Sequence, residues 1–474
     1  MMIKFYNTLT NQKEEFKPIE AGKVKIYTCG VTVYDRCHLG HARGGINFDV
    51  LCRFLRASGY EVTYAKNYTD IDDKIIDRAN ERGMSTKELA EENIRIHDED
   101  MASVGINPPD IAPKATEHIP EIIEMIESLI AKEFAYAVDG NVFFRVRRFD
   151  EYGKLSGKNI DDLISGSRVE VDKRKEDALD FALWKASKAG EPAWESPWGE
   201  GRPGWHIECS AMSKKYLGET FDIHAGGSDL VFPHHENEIA QSECTHAKPY
   251  VNYWLHNGMV NIEHQKMSKS LGNFATIADL VKKFHPELIR FFVLSSQYRQ
   301  PVDFSEKSVE SSVEGLDRIY GALEKFELKY GREKALALPG GHSQIANHQH
   351  HFMEAMADDL NTPQALAILF ELTKMLNLVQ EDEERAAVIY KVLIELGEML
   401  GLFQVPAVDW FKTPRIRHEG DDALSDADID ALIAARKEAR AAKDWARADE
   451  VRDQLADASI QIEDRDGQTY WKRK

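Results

Sequence analysis

Hydrophobic and polar positions fall first into an alternating rhythm. Val24-Lys25-Ile26-Tyr27-Thr28 reads as a strand, residues 46–58 as a helix ending near Gly59, and Val62-Thr63-Tyr64-Ala65 as a second short strand. Strand, helix and strand in this order predict a parallel sheet, whose ligands sit at the carboxyl ends of the strands. From about residue 113 to 203 the texture is mixed, with Gly140-Asn141-Val142-Phe143-Phe144 and a stretch rich in Lys, Glu, Trp and Pro over 172–203. This reads as an insertion that interrupts the sheet domain. The sheet rhythm resumes in Gly204-Trp205-His206-Ile207-Glu208-Cys209 and in Phe221-Asp222-Ile223-His224.

After about Phe304 apolar residues recur at helical spacing, in Leu316-Ile319-Leu323-Phe326, Ala365-Leu366-Leu369-Leu372 and Val388-Tyr390-Val392-Leu393-Leu396. A Gly/His-rich connection over 339–351 separates the first two. Its His342, His348, His350 and His351 read as part of a solvated loop, because nothing fixes them as ligands. A polar linker over 404–425 leads to a small last domain. There Ala434-Ala435-Arg436-Lys437-Glu438-Ala439-Arg440 reads as helix, and Ile460-Gln461-Ile462 with Tyr470-Trp471 as a closing strand pair. Its basic residues, with Trp445 and Trp471, suit either RNA contact or an ordinary amphipathic helix with interleaved acids.

At 474 residues the chain holds more than one domain, and 43% hydrophobic with 30% charged residues fits a globular protein. No apolar run approaches a membrane span, and the start, Met1-Met2-Ile3-Lys4-Phe5, shows no secretory pattern, so a cytoplasmic protein with no membrane partner is expected. Five cysteines, Cys29, Cys37, Cys52, Cys209 and Cys244, make no disulfide framework and read as core thiols or metal ligands. A formal net charge of -20 argues against indiscriminate coating of nucleic acid while leaving room for local basic patches.

Three stretches carry chemistry. His38-Leu39-Gly40-His41 lies at the predicted strand-to-helix turn, where two histidines three apart and a helix N-terminus suit phosphoryl oxygens. Asn67-Tyr68-Thr69-Asp70-Ile71-Asp72-Asp73-Lys74 ends the second strand, its carboxylates serving as helix caps or as site groups. Lys266-Met267-Ser268-Lys269-Ser270 offers two lysines to a polyphosphate. Combined with His38 and His41 in this order, it points to transfer at the α-phosphorus of ATP.

A fourth constellation joins Cys29 at the end of the first strand, Cys209, and Pro233-His234-His235-Glu236-Asn237-Glu238 at the start of a helix. His234 and Glu238, four apart, share a helical face, so two thiolates, an imidazole and a carboxylate suit a tetrahedral zinc site. Equally, Cys29 and Cys209 are small buried hydrophobes and His235, not His234, faces the site.

The histidine and lysine motifs resemble the two signatures of the class I aminoacyl-tRNA synthetases, with Leu39 where isoleucine is usual. Tyr27-Thr28-Cys29-Gly30-Val31-Thr32, Gly204-Trp205-His206-Ile207-Glu208-Cys209-Ser210 and Phe221-Asp222-Ile223-His224-Ala225-Gly226-Gly227-Ser228-Asp229 look like the cysteinyl-tRNA synthetase family, as do Asp358-Asp359-Leu360-Asn361-Thr362-Pro363 and Lys443-Asp444-Trp445-Ala446. Tyr68 departs from the family's isoleucine. The resemblance implies a Rossmann-like α/β catalytic domain at 1–112 and 204–250, split by a connective insertion at 113–203. A lysine-loop and stem-contact region at 251–304 follows, then an α-helical bundle at 305–403, the linker at 404–425 and a small α+β anticodon-binding domain at 426–474.

It further implies one Zn2+ per subunit on Cys29, Cys209, His234 and Glu238, and Mg2+ with ATP. His38 and His41 would hold the phosphates, and Lys266 and Lys269 the transition state, with Lys269 on ATP. Gly30, Thr32, Thr69 and Trp205 would line the cysteine pocket. The implied substrates are L-cysteine, ATP and the cysteine tRNA, joined through a cysteinyl-adenylate by a monomer without an editing domain. A related ligase that passes cysteine to a small amine is the chief rival, and the helical bundle counts against it. Cys37, Cys52 and Cys244 are read as buried thiols.

Overall fold

The structure, a computed structural model, describes residues 1–159, 172–262, 265–266, 275–337, 345–417, 424–465 and 468–473, with 265, 266, 465 and 468 described in backbone only. Two units emerge: Met1–Ile277 with Ser296–Asp303 and Glu354–Thr362, and Ala278–Ser295 with Phe304–Met353 and Pro363–Lys474.

In the first unit a hairpin, β1 (Lys4–Asn7) and β2 (Gln12–Glu15), precedes β3 (Lys23–Thr28), α1 (Leu39–Ala57), β4 (Glu61–Lys66), α2 (Asp73–Arg82) and α3 (Thr86–Ser103). β3 and β4 pair in parallel, with Ile26 opposite Tyr64. The insertion builds its own antiparallel sheet from β5 (Ala135–Val138), β6 (Asn141–Phe144), β7 (Phe181–Ala186) and β8 (Gly201–Pro203), preceded by α4 (Ile119–Ala131). After α5 (Trp205–Leu217), the chain returns to the parallel sheet with β9 (Phe221–Gly227), α6 (Glu236–His246) and β10 (Val251–Asn257), in the order β10-β9-β3-β4. All but the last residue of β9 are buried, as expected of a central parallel strand covered on both faces. A short hairpin, β11 (Val260–Ile262) and β12 (Gln265–Lys266), follows.

Two expectations are corrected here. Gly204 to Cys209 does not resume the sheet but opens α5; the alternation of Trp205, Ile207 and Cys209 is too short to fix a period. Its buried Ile207, Ala211 and Met212 instead recur at helical spacing. Helix α1 begins at Leu39, seven residues earlier than residue 46, so the histidine motif is its first turn rather than a loop. Its buried face includes Arg43 and Asn47, whose polarity hides the 39, 42, 43, 46, 50 spacing.

In the second unit α7 (Pro286–Leu294), α8 (Glu306–Tyr330), α9 (Thr362–Leu378) and α10 (Glu383–Met399) bury the apolar rows read from the sequence, Leu316, Ile319, Leu323 and Phe326 among them. His348, His350 and His351 lie on a helix, Ala346–Ala357, rather than in a loop; Phe352, Ala355 and Met356 provide its buried face. His342 lies outside the described residues.

The segment read as a polar linker packs closely in part. Ala407 and Trp410 are fully buried, and Trp410 stacks on Tyr320 with ring centroids 4.2 Å apart. The last domain consists of α11 (Asp426–Ala441), α12 (Trp445–Asp457) and the antiparallel pair β13 (Ile460–Arg465) and β14 (Gln468–Arg473), with Ile462 opposite Trp471. Arg436 and Arg440 pair with Asp464, Arg447 with Glu450 and Arg452 with Asp449, so these bases are engaged by acids. Trp445 is 60% exposed.

Glu287 on α7 is buried, accepting hydrogen bonds from the Tyr320 hydroxyl at 2.9 Å and the Phe403 amide at 2.8 Å. Burial pushes its carboxyl from 4.5 up to about 7. The folded state therefore binds this proton more tightly than the unfolded chain. Its contribution is fully present below pH 4.5 and is lost as pH rises to about 7, a change of about 3 kcal/mol. Urea unfolding of wild type and E287Q at pH 4.5 and 8 should show the variant gaining on wild type by that amount; parallel changes in the two proteins would refute the assignment.

Candidate active site

The carboxyl edge of the parallel sheet opens into a cavity of about 500 Å³ whose wall includes Cys29, Gly30, Thr32, His38, His41 and Trp205. Cys29 follows β3 directly, and Asn67 follows β4. A Cβ on Gly30 would lie 1.4 Å from the Asn67 carbonyl oxygen, so no other residue fits this crossing of the two strand ends. The Gly30 amide donates to Asn67 Oδ1 at 2.8 Å.

At the inner end, the four residues read as ligands meet. The Cys29 thiol lies 3.1 Å from Glu238 Oε1 and 3.2 Å from His234 Nε2, and His234 Nε2 is 3.0 Å from Glu238. With the buried Cys209, the four donor atoms fall within 4.8 Å of one another. Burial drives the Cys29 thiol well up. Burial acts against ionisation of Cys209 and His234 too, yet the hydrogen bond from Cys29 helps bring Cys209 down to about 6, and the Glu238 carboxylate brings His234 up to about 10. Two thiols, one imidazole and one carboxylate, all buried but the half-buried Cys29 at the cavity wall, fit Zn2+.

A shell of imidazoles surrounds this set; the sequence offered His235 as the alternative to His234 facing the site and assigned His224 and His256 no role. His224 Nε2 is 2.8 Å from Glu238 Oε2, and the Tyr250 hydroxyl donates to the same oxygen at 3.1 Å. His235 Nε2 lies 3.5 Å from Cys29, so both histidines of the pair abut that sulfur. His235 Nδ1 contacts His256 Nε2 at 2.8 Å, and His256 Nδ1 contacts the Thr8 hydroxyl at 2.7 Å. Cys29, His224, His235 and Glu238 also lie within metal-binding distance of one another. One sequence signal was available: a histidine in mid-strand among apolar residues of β9 must be buried and therefore partnered. The Trp205 ring lies over His234 with centroids 4.3 Å apart.

At the outer end, His38 is the N-cap of α1. His38 Nδ1 accepts from the Gly40 amide at 3.0 Å, His41 Nδ1 accepts from the His38 amide at 3.2 Å, and the rings stack 3.8 Å apart. An Nδ1 that accepts carries no proton, so each neutral ring holds its hydrogen on Nε2 as a donor. Such donors beside a helix N-terminus suit an anion.

The remaining residues divide. Thr69 does not reach the cavity wall; its hydroxyl donates to the buried Glu208 carboxylate at 2.7 Å, and its backbone bridges Thr32. Asp72 caps α2, and Asp73 pairs with Lys185 and Arg202, so these carboxylates do structural work. Tyr68 is buried and donates to Asp98. Lys266 closes the β11–β12 hairpin, its backbone opposite Asn261, and Lys269 lies outside the described residues. Cys37, Cys52 and Cys244 are buried, and burial pushes each thiol up to about 12.

Known families match along the chain: the class I (C) tRNA synthetase catalytic domain over residues 15–314, the DALR domain over 351–404 and the cysteinyl-tRNA ligase anticodon binding domain over 422–471. A solved structure of Mycobacterium tuberculosis methionyl-tRNA synthetase in complex with methionyl-adenylate shares the fold, with a TM-score of 0.57, 15% identity and coverage of 80% of this chain and 89% of that one. The sheet with its histidine-bearing helix is thus a class I aminoacyl-tRNA synthetase catalytic fold. Cysteine--tRNA ligases of Geobacter sulfurreducens and Chromobacterium violaceum are 50% and 51% identical to the chain, with 100% of both partners covered in each case. The chain belongs to the cysteinyl-tRNA synthetase family.

Replacing Cys209 with serine should weaken zinc retention at least about 100-fold, read as metal remaining after competition with a chelator, while ATP binding stays unchanged. Unchanged zinc content would remove Cys209 from the ligand set.

Proposed function

We propose that the protein attaches L-cysteine to its cognate tRNA in an ATP-dependent, two-step reaction. The carboxylate of cysteine attacks the α-phosphorus of ATP, pyrophosphate leaves, and a ribose hydroxyl of the terminal adenosine then takes the cysteinyl group from the adenylate. The observation that carries this reading is that one cavity is lined both by Cys29, a member of the two-thiol, imidazole and carboxylate set, and by a pair of stacked histidines at a helix N-terminus.

Cys29, Cys209, His234 and Glu238 would hold Zn2+, which when bound supplies a ligand position that a thiolate fills well and a hydroxyl or methyl group fills poorly. Trp205 packs beside His234 and gives that end of the cavity an aromatic wall. His38 and His41 donate from Nε2 to phosphoryl oxygens as charge grows on them, Lys266 and Lys269 neutralise the same charge, and Mg2+ accompanies ATP. Gly30 and Thr32 border the amino acid, while Thr69 acts from behind the wall through Glu208. The five unpaired cysteines suit a reducing cytoplasm. Among the described residues no helix is long and apolar enough to cross a membrane.

The family models over 351–404 and 422–471 favour tRNA over a small amine as acceptor. The test is cysteine-dependent exchange of pyrophosphate into ATP, with serine as control, followed by charging of tRNA. Exchange with cysteine alone, rejecting serine by about 10⁴-fold, and then charging of cysteine tRNA are expected. Exchange without charging would indicate the small-amine ligase, and absence of exchange in zinc-replete protein would refute the reading.

A further inference from the structure

Arg43 stands two residues beyond His41 on α1, and its side chain is fully buried. Among the described residues it has no carboxylate partner. Nη1 donates to the carbonyl oxygens of Gly258 and Met259, each at 2.8 Å, and Nη2 donates to those of Tyr298, at 3.2 Å, and Gln300. Burial draws the guanidinium down to about 10. A charge desolvated in this way is a poor stabiliser, and a packed apolar side chain of similar volume often serves the fold as well. What an apolar chain cannot do is gather carbonyls from two segments at fixed distances, which suits the planar fork of arginine.

Those two segments bear on the site. Gly258 and Met259 form the passage from β10 to β11, and both line the cavity with His38 and His41. The Gly258 amide donates to the Tyr298 carbonyl at 2.8 Å, and the Val302 amide donates to the Met259 carbonyl at 3.0 Å. A Cβ at Gly258 would lie 2.5 Å from the Gln300 carbonyl oxygen, so the segments touch backbone to backbone under the guanidinium. From Met259 the chain runs directly into the β11–β12 hairpin, whose last residue is Lys266.

We propose that Arg43 is a positioning residue: it sets the separation between the helix that carries His38 and His41 and the hairpin that ends at Lys266, so that both elements meet one polyphosphate. The proposal rests on the adenylate-forming reading above. A displacement of the order of 1 Å between groups that act on one transition state costs about 100-fold in rate. It need not disturb the thiol end of the cavity, where Arg43 makes no contact.

The experiment compares zinc-loaded wild type, R43K and R43Q in cysteine-dependent pyrophosphate exchange, with zinc content and circular dichroism measured on the same preparations. R43K keeps the charge but replaces the fork with a single nitrogen; R43Q keeps donors without the charge. Both variants should remain folded, with zinc content and KM for cysteine within about threefold of wild type, and with kcat reduced by about 30- to 100-fold. A kcat within about threefold of wild type in either folded variant would overturn the proposal. So would a loss of zinc and cysteine affinity in step with kcat, or failure of both variants to fold, since each outcome marks Arg43 as a general structural residue. No exchange by wild type would overturn the adenylate reading and this proposal together, and is distinguished by being seen in the parent protein.

Discussion

A carboxylate without access to water governs the arrangement of the first unit. Glu238 is fully buried, and a charge in that position is tolerated only when several partners surround it. Burial works against its ionisation, and His224 and His234 more than offset this, holding it well below the ordinary carboxylate range. The partners arrive from separate places: His224 from β9, Tyr250 from just before β10, His234 from just before α6, and Cys29 from the end of β3. Only a sheet with β9 between β3 and β10 brings these together.

The cavity beside that carboxylate has two chemical ends. The inner one is thiol and imidazole, with Trp205 over His234; the outer one is a helix N-terminus with paired histidines. Gly30 and Asn67 hold the strand ends from which both are built, and the 1.4 Å overlap that any side chain at Gly30 would make shows how little room that crossing leaves. The two ends therefore present different donor chemistry from separate residues, with Cys29 and His38 at opposite ends of the segment between β3 and α1.

Much of this was legible in the sequence. β3 and β4 announce themselves by apolar runs, the bundle by helical spacing, and the four candidate ligands by their types together with the family resemblance. What remained hidden shares a cause: polar residues in buried places. Arg43 and Asn47 interrupt the apolar face of α1, so the helix seems to start late. His206, Glu208 and Cys209 made a helix look like an alternating strand, and His224 carried no spacing to mark it as the partner of a carboxylate contributed by another element. Thr69, placed in the cysteine pocket by the resemblance, turns its hydroxyl to Glu208, a partner the sequence did not mark.

The mutual cap of His38 and His41 has a consequence for how such a site can change over evolutionary time. Each ring uses Nδ1 to secure the first turn of α1, and both rings also line the cavity. Helix capping and cavity lining are thereby lodged in the same two side chains. An asparagine keeps a cap yet falls short of the reach of an imidazole, whereas a lysine reaches farther but has no acceptor for the turn. Exchange at either position therefore disturbs the first turn of α1 as well as the lining of the cavity.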